Sequence, residues 1–141
     1  MHRGAPSTSV RWSANAVADA VSDSRRRAER RGRRGETLAA LLLMLKGYRI
    51  LGRRVKTHAG EIDLIARSPS GLLCFVEVKA RTAPDLALLS VGERQQSRIA
   101  RAATLYVAAR PKIASGGIRY DVVTIAPRTF PRHIRDAFRS G

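Results

Sequence analysis

The sequence predicts an α/β fold: a mixed β-sheet flanked by helices, preceded by a basic N-terminal extension. Three observations lead there. Apolar and β-branched runs bounded by turn residues mark strands at 48–55, 61–67, 72–79 and 118–126. Apolar residues at helical spacing mark helices after Gly35 and over 93–109. The resulting order of helix, three strands, helix, strand is that of a mixed sheet covered by helices.

Taken in chain order, residues 1–24 are rich in Ser and Ala, and the apolar stripe that includes Val17 and Val21 is too sparse to pack, so a loosely ordered tail is expected. Arg25 to Arg34 form a basic arm with Arg33 and Arg34 at its end, which completes a flexible extension over 1–34. The expected folded domain occupies 35–141. Leu38, Leu41, Leu42 and Leu45 recur at i, i+3, i+4 and i+7, and Gly47 is placed to end their helix. Tyr48 to Val55 makes a first strand and Thr57-His58-Ala59-Gly60 a turn. The next two strands form a hairpin about the turn residues Ser68-Pro69-Ser70-Gly71. Ile99, Ala102, Ala103 and Tyr106 share one side of the second helix, Pro111 follows it, and Tyr120-Asp121-Val122-Val123-Thr124-Ile125 reads as a buried strand.

Composition narrows the function. The chain has 141 residues, enough for one core, and 27 Lys and Arg against 11 Asp and Glu leave a net charge of +16. The first 34 residues carry nine Arg and three acids, so most of the excess lies in the folded part. A small basic protein most often meets a polyanion, and nucleic acid, DNA rather than RNA, is the expected partner. The apolar run Leu38 to Leu45 stops at Lys46, well short of the ~20 residues a membrane span needs. A single cysteine, Cys74, excludes an internal disulfide or a Cys-rich zinc site and suits a cytoplasmic location. A homodimer stays open.

The hairpin carries the chemistry. Alternation puts Ile62, Leu64 and Ala66 on one face and Glu61, Asp63 and Ile65 on the other; on the next strand Glu77 and Lys79 share a face with Phe75. A register in which paired numbers sum to 140 sets Asp63 opposite Glu77, Glu61 opposite Lys79, Ile62 opposite Val78 and Leu64 opposite Val76. A one-residue slip would drive charge into the apolar layer. Carboxylates at the end of a buried sheet face are costly unless they pair or hold a cation, and Asp63 and Glu77 supply the hard oxygen donors that suit Mg²⁺ or Mn²⁺. On the same face, Lys79 is placed to orient a water or offset phosphate charge. On spacing alone, the quartet Glu61, Asp63, Glu77 and Lys79 is equally a structural ion-pair cluster.

The motifs are Gly35-Glu36-x-x-Ala39, Gly47-Tyr48, Gly60-Glu61-Ile62-Asp63-Leu64-Ile65-Ala66, Phe75-Val76-Glu77-Val78-Lys79-x-Arg81, Arg119-Tyr120-Asp121-Val122-Val123 and Asp136-Ala137-Phe138, within a resemblance that covers roughly residues 33–139. In order and spacing the chain resembles the bacterial YraN-type family of uncharacterised proteins, within the restriction-endonuclease-like PD-(D/E)xK superfamily. The resemblance implies a restriction-endonuclease-like core, catalytic positions at Asp63, Glu77 and Lys79, and a helix glutamate, Glu36, that joins Asp63 and Glu77 in the metal site. The chain departs from the family at Arg54, where Asn is usual, and at Gln95, where Lys is usual. Expected nucleic-acid contacts are Arg33, Arg34, Arg54, Lys56, Arg81, Gln95 and Arg98.

Two functions compete on these grounds. One is a metal-dependent nuclease, structure-specific rather than sequence-specific, since so short a chain shows no recognition insertion. The other is a non-catalytic nucleic-acid-binding protein of the same fold. An Arg-rich scaffold protein would account for the charge but not for the placement of Asp63 and Glu77.

Overall fold

The computed structural model describes residues 14–80 and 91–140. It has α1 (Ala14–Leu45), β1 (Arg49–Thr57), β2 (Gly60–Arg67), β3 (Leu73–Ala80), α2 (Glu93–Ala108), β4 (Ile118–Ile125) and β5 (Arg132–Phe138). The chain divides into two compact units, Met1–Arg31 and Gly32–Gly141. In the first, residues 14–31 are helical, which corrects the expectation of a loosely ordered stretch up to residue 24 and of a first helix starting near Gly35. Ala and Arg are strong helix formers, and their local propensity operates where no apolar face exists to pack. The first thirteen residues of the expected extension, and Arg81, lie outside the described residues.

The second unit is built on one five-stranded sheet in the order β1-β2-β3-β4-β5. β1 with β2, β2 with β3 and β4 with β5 are antiparallel, whereas β3 and β4 run parallel across the α2 crossover. This mixed α/β sheet has the restriction-endonuclease-like architecture implied by the sequence. Ala39, Ala40 and Leu43 of α1 pack on Leu64, Ala66, Cys74, Val76 and Val123. Ile99, Ala102, Ala103 and Tyr106 of α2 pack on the opposite face against Ile65, Leu73, Phe75 and Val122. The split between Leu64/Ala66/Cys74/Val76 and Ile65/Leu73/Phe75 is the period-two alternation of a sheet covered on both sides.

Helix α1 ends as its sequence predicts. Gly47 has a φ of 87°, the Tyr48 N–H reaches the Leu43 carbonyl at 2.9 Å, and the Gly47 N–H reaches that of Met44 at 3.0 Å. These bonds satisfy carbonyls that the last turn would leave open. Strand β5 is new relative to the sequence reading. It carries Arg132, His133, Arg135 and Asp136 among few apolar residues, a pattern that suits a sheet edge but hides a strand from periodicity arguments. Among the described residues, no helix is long and apolar enough to cross a membrane.

Candidate active site

The site lies where β2 and β3 part. Their ladder pairs Arg67 with Leu73, Ala66 with Cys74, Ile65 with Phe75 and Leu64 with Val76, the predicted register, and then stops. Beyond it the expected pairs Ile62/Val78, Asp63/Glu77 and Glu61/Lys79 are absent from the ladder. Asp63 Oδ2 instead accepts the Val78 backbone N–H at 2.8 Å. A side chain thus takes over where the β2–β3 ladder stops, while β2 stays paired with β1 and β3 with β4. Ile62 follows this departure: it joins Ile65 and Phe75 beneath α2, not Leu64 and Ala66 as strict alternation requires.

The parting brings acids together from three elements. Glu36 on α1, Glu61 and Asp63 on β2 each offer a carboxylate oxygen within 4.8 Å of the others. Glu77 on β3 is buried close to Asp63. Burial pushes Glu77 up to about 7, with the Asp63 carboxylate adding to the shift and Lys79 and Arg98 opposing it. Asp63 is also raised, chiefly by burial and then by Glu36 and Glu61, against the stabilising Val78 N–H. These carboxylates cannot all ionise comfortably without a cation among them. All-oxygen donors at this separation fit a divalent ion such as Mg²⁺. Glu61, read from the sequence only as a partner for Lys79, thus stands with the candidate ligands. Glu36 and Asp63, expected from the resemblance, lie in the same group, whereas Glu77 lies beside Asp63 and outside the three whose oxygens cluster.

Lys79 does not reach Glu61. Its Nζ donates to Gln95 Oε1 at 2.7 Å, and Gln95 Nε2 donates to Glu77 Oε1. Gln95, in the first turn of α2, thus bridges the ammonium and the carboxylate. The sequence placed it among nucleic-acid contacts; the structure sets it against the acids. Its amide is oriented by this pairing, oxygen to the cation and nitrogen to the anion.

The other expected contacts divide. Arg33, Arg34, Lys56 and Arg98 are exposed, and Arg98 lies near enough to Glu77 to lower its pKa. Arg54 instead donates from Nε to Glu36 Oε2 at 2.6 Å. Its φ of 48° is left-handed, a conformation that Asn adopts readily and Arg does not. The turn into β2 is closed by Gly60, at φ 137°, beside the Arg98 side chain.

A second polar network was missed in the sequence. Asp121 is fully buried and receives Arg119 Nε and Nη2, each at 2.8 Å, the Asp136 backbone N–H at 3.0 Å, and His133 Nε2 at 2.7 Å. Burial alone would raise its pKa, but these donors outweigh it and hold Asp121 at about 2. The signal was an acid inside a strand read as buried, which demands partners.

Comparison with known proteins places the chain in a family by sequence. The model of uncharacterised protein family UPF0102 matches residues 35–125. A UPF0102 protein of Agrobacterium fabrum is 48% identical over 120 residues, covering 85% of this chain and 98% of its own length. One from Parvibaculum lavamentivorans is 52% identical over 112 residues, covering 79% of this chain and 84% of its own. A third, from Paramagnetospirillum magneticum, is 50% identical over 116 residues, with 79% and 89% covered.

Proposed function

The chain belongs to the uncharacterised protein family UPF0102, the YraN-type family its motifs resemble, and from its carboxylate site we propose that it is a metal-dependent nuclease that hydrolyses phosphodiester bonds in nucleic acid. One observation carries this reading: half-buried Asp63 and buried Glu77 form a mutually repelling carboxylate pair beside Lys79 in a protein of net charge +16. A basic protein that only binds nucleic acid gains nothing from buried acids at its sheet end, because they repel the phosphates it attracts.

Glu36, Glu61, Asp63 and Glu77 are the residues that would hold Mg²⁺ or Mn²⁺. Bound there, such an ion supplies charge stabilisation at the phosphoryl oxygen and an acidified water. The chain's own groups do the rest. Val78 N–H fixes the Asp63 carboxylate, and Gln95 keeps Lys79 from collapsing onto Glu77. The Lys79 ammonium, held at the rim of the acids, donates hydrogen bonds to the attacking water or a phosphate oxygen. Arg98, with Arg33, Arg34 and Lys56 on the surface, neutralises flanking phosphates, with no base readout implied. DNA is the favoured substrate.

The test is direct. Purified protein is incubated with linear, flapped, four-way and single-stranded substrates in Mg²⁺, Mn²⁺ or EDTA. Metal-dependent cleavage that EDTA abolishes is the expected result. Binding across the panel with no cleavage in either metal would replace this reading with a non-catalytic nucleic-acid-binding protein of the same fold.

A further inference from the structure

At the other end of the sheet, a cleft of 260 Å³ is lined by Lys46, Tyr48, Ser70, Arg119 and Arg135, together with the turn residues Ser68 and Pro69. We propose that this cleft binds a phosphate group. The site is separate from the carboxylates. Lys46 lies ten residues beyond Glu36, about 15 Å along a helical path, and Ser68 lies five beyond Asp63, about 16 Å along a strand.

The cleft is made of donors. Arg119 uses Nε and one Nη2 bond on Asp121, and Nη2 also donates to the Tyr48 hydroxyl at 2.6 Å. Its Nη1 has no partner among the described residues, although the side chain is only 15% exposed. Since Tyr48 Oη accepts from Arg119, its own proton is available, and no acceptor for it occurs among the described residues. Lys46 Nζ lies 2.5 Å from His133 Nδ1. His133 Nε2 donates to the Asp121 carboxylate, so Nδ1 is the acceptor and Lys46 the donor. Two further ammonium protons remain. Arg135 is exposed at the mouth.

No carboxylate lines the cleft. Asp121, the acid bonded to Arg119, is buried and has its oxygens engaged by Arg119, His133 and the Asp136 N–H, so it holds the lining Arg119, and the His133 that Lys46 meets, in place rather than closing the site. Burial, then the Arg135 and Arg119 charges, hold Lys46 below its ordinary pKa despite Asp121. Three cations are thus held close together at a cost that a bound anion relieves. Guanidinium, ammonium and hydroxyl donors converging from the α1–β1 connection, the β2–β3 turn, β4 and β5 suit a tetrahedral oxyanion with several acceptor oxygens better than a planar one. Two sources carry this phosphate chemistry: a nucleic-acid backbone and a small phosphorylated molecule.

The full chain is titrated in EDTA with inorganic phosphate, a nucleoside 5′-monophosphate and a 16-base-pair duplex while backbone amides are followed by ¹H–¹⁵N NMR. Without metal, the outcome is independent of any cleavage. Phosphate should shift the amides of Tyr48, Ser70 and Arg119, and Lys46→Gln/Arg135→Gln should weaken that binding at least tenfold. If the duplex shifts the same amides, and the double variant flattens its salt dependence by about 0.9 for each lost phosphate contact, the backbone is the source. Shifts from the small phosphates alone assign a phosphorylated molecule. Arg135→Gln removes a side chain with no bond into the buried network, so it should fold normally and still weaken binding on its own. No shift at these amides with any of the three probes, or unchanged affinity in Arg135→Gln, overturns the proposal.

Discussion

Asp63 and Val78 are joined by a side-chain bond where the β2–β3 ladder would otherwise continue: the carboxylate takes the backbone N–H at 2.8 Å. This one contact opens β2 from β3 and orients an acid toward Glu36 and Glu61. It makes Asp63 both a structural cap and a candidate ligand.

The two roles separate by substitution. Asp63→Asn keeps an acceptor for Val78 but removes the charge, so cleavage should fall by orders of magnitude with little change in Tm. Asp63→Ala should lose activity and also about 1–3 kcal/mol of stability, because the Val78 N–H loses its partner. Denaturant melts beside cleavage rates decide this. Equal stability of the two variants would mean the capping bond contributes nothing.

Glu77 predicts a pH dependence. Its folded pKa, about 7, lies above the ordinary 4.5, so the native state holds the proton more tightly than the unfolded one. Its contribution to stability is therefore present below 4.5 and lost as pH rises toward 7. Glu77→Gln should remove that slope and raise Tm at pH 8 relative to wild type. Mg²⁺ should raise the wild-type Tm at pH 8 and leave that of Glu77→Gln less affected. Thermal scans between pH 4 and 8, with and without metal, measure both.

Gln95 should matter for activity more than for folding. Gln95→Ala frees Lys79 to pair directly with Glu77, and a loss of about 10- to 100-fold in kcat is expected, the usual cost of removing a group that orients a metal ligand. Because Lys79 lowers the Glu77 pKa and Gln95 stands between the two, the pH–rate profile should shift with the loss. A variant with lower substrate affinity but unchanged kcat and profile would return Gln95 to nucleic-acid contact.

Asp121→Ala should cost about 3–5 kcal/mol, since it strands Arg119 and His133 without their shared anion. The wild-type pKa, depressed from 3.8 to about 2, adds stability that is present above 3.8 and lost as pH falls toward 2. Acid titration of wild type followed by circular dichroism should show this loss. Asp121→Asn should show it in smaller measure.

Much of this was legible in one dimension. Four strands and two helices follow from periodicity and turn residues, and the Leu64/Val76 register follows from the need to keep charge out of the apolar layer. β5 was not legible, because its charged residues leave no alternation. Residues 14–24 were misread, because a missing apolar stripe argues against packing, not against helix. The Asn that the family resemblance leads one to expect at position 54 acquires a reason only from the left-handed backbone there, which Arg54 adopts while paired with Glu36.

The sequence by itself determined the elements, their faces and the acids that would stand at one sheet end, since those depend on local period and on the cost of burying charge. Only the tertiary structure decided where the β2–β3 ladder stops, that Glu61 stands with Glu36 and Asp63, and that Gln95 separates Lys79 from Glu77. It alone gathered Lys46, Tyr48, Arg119, Asp121 and His133. Each of these relations joins residues far apart in the chain through side-chain hydrogen bonds, and local spacing holds no information about which distant donor an acceptor will meet.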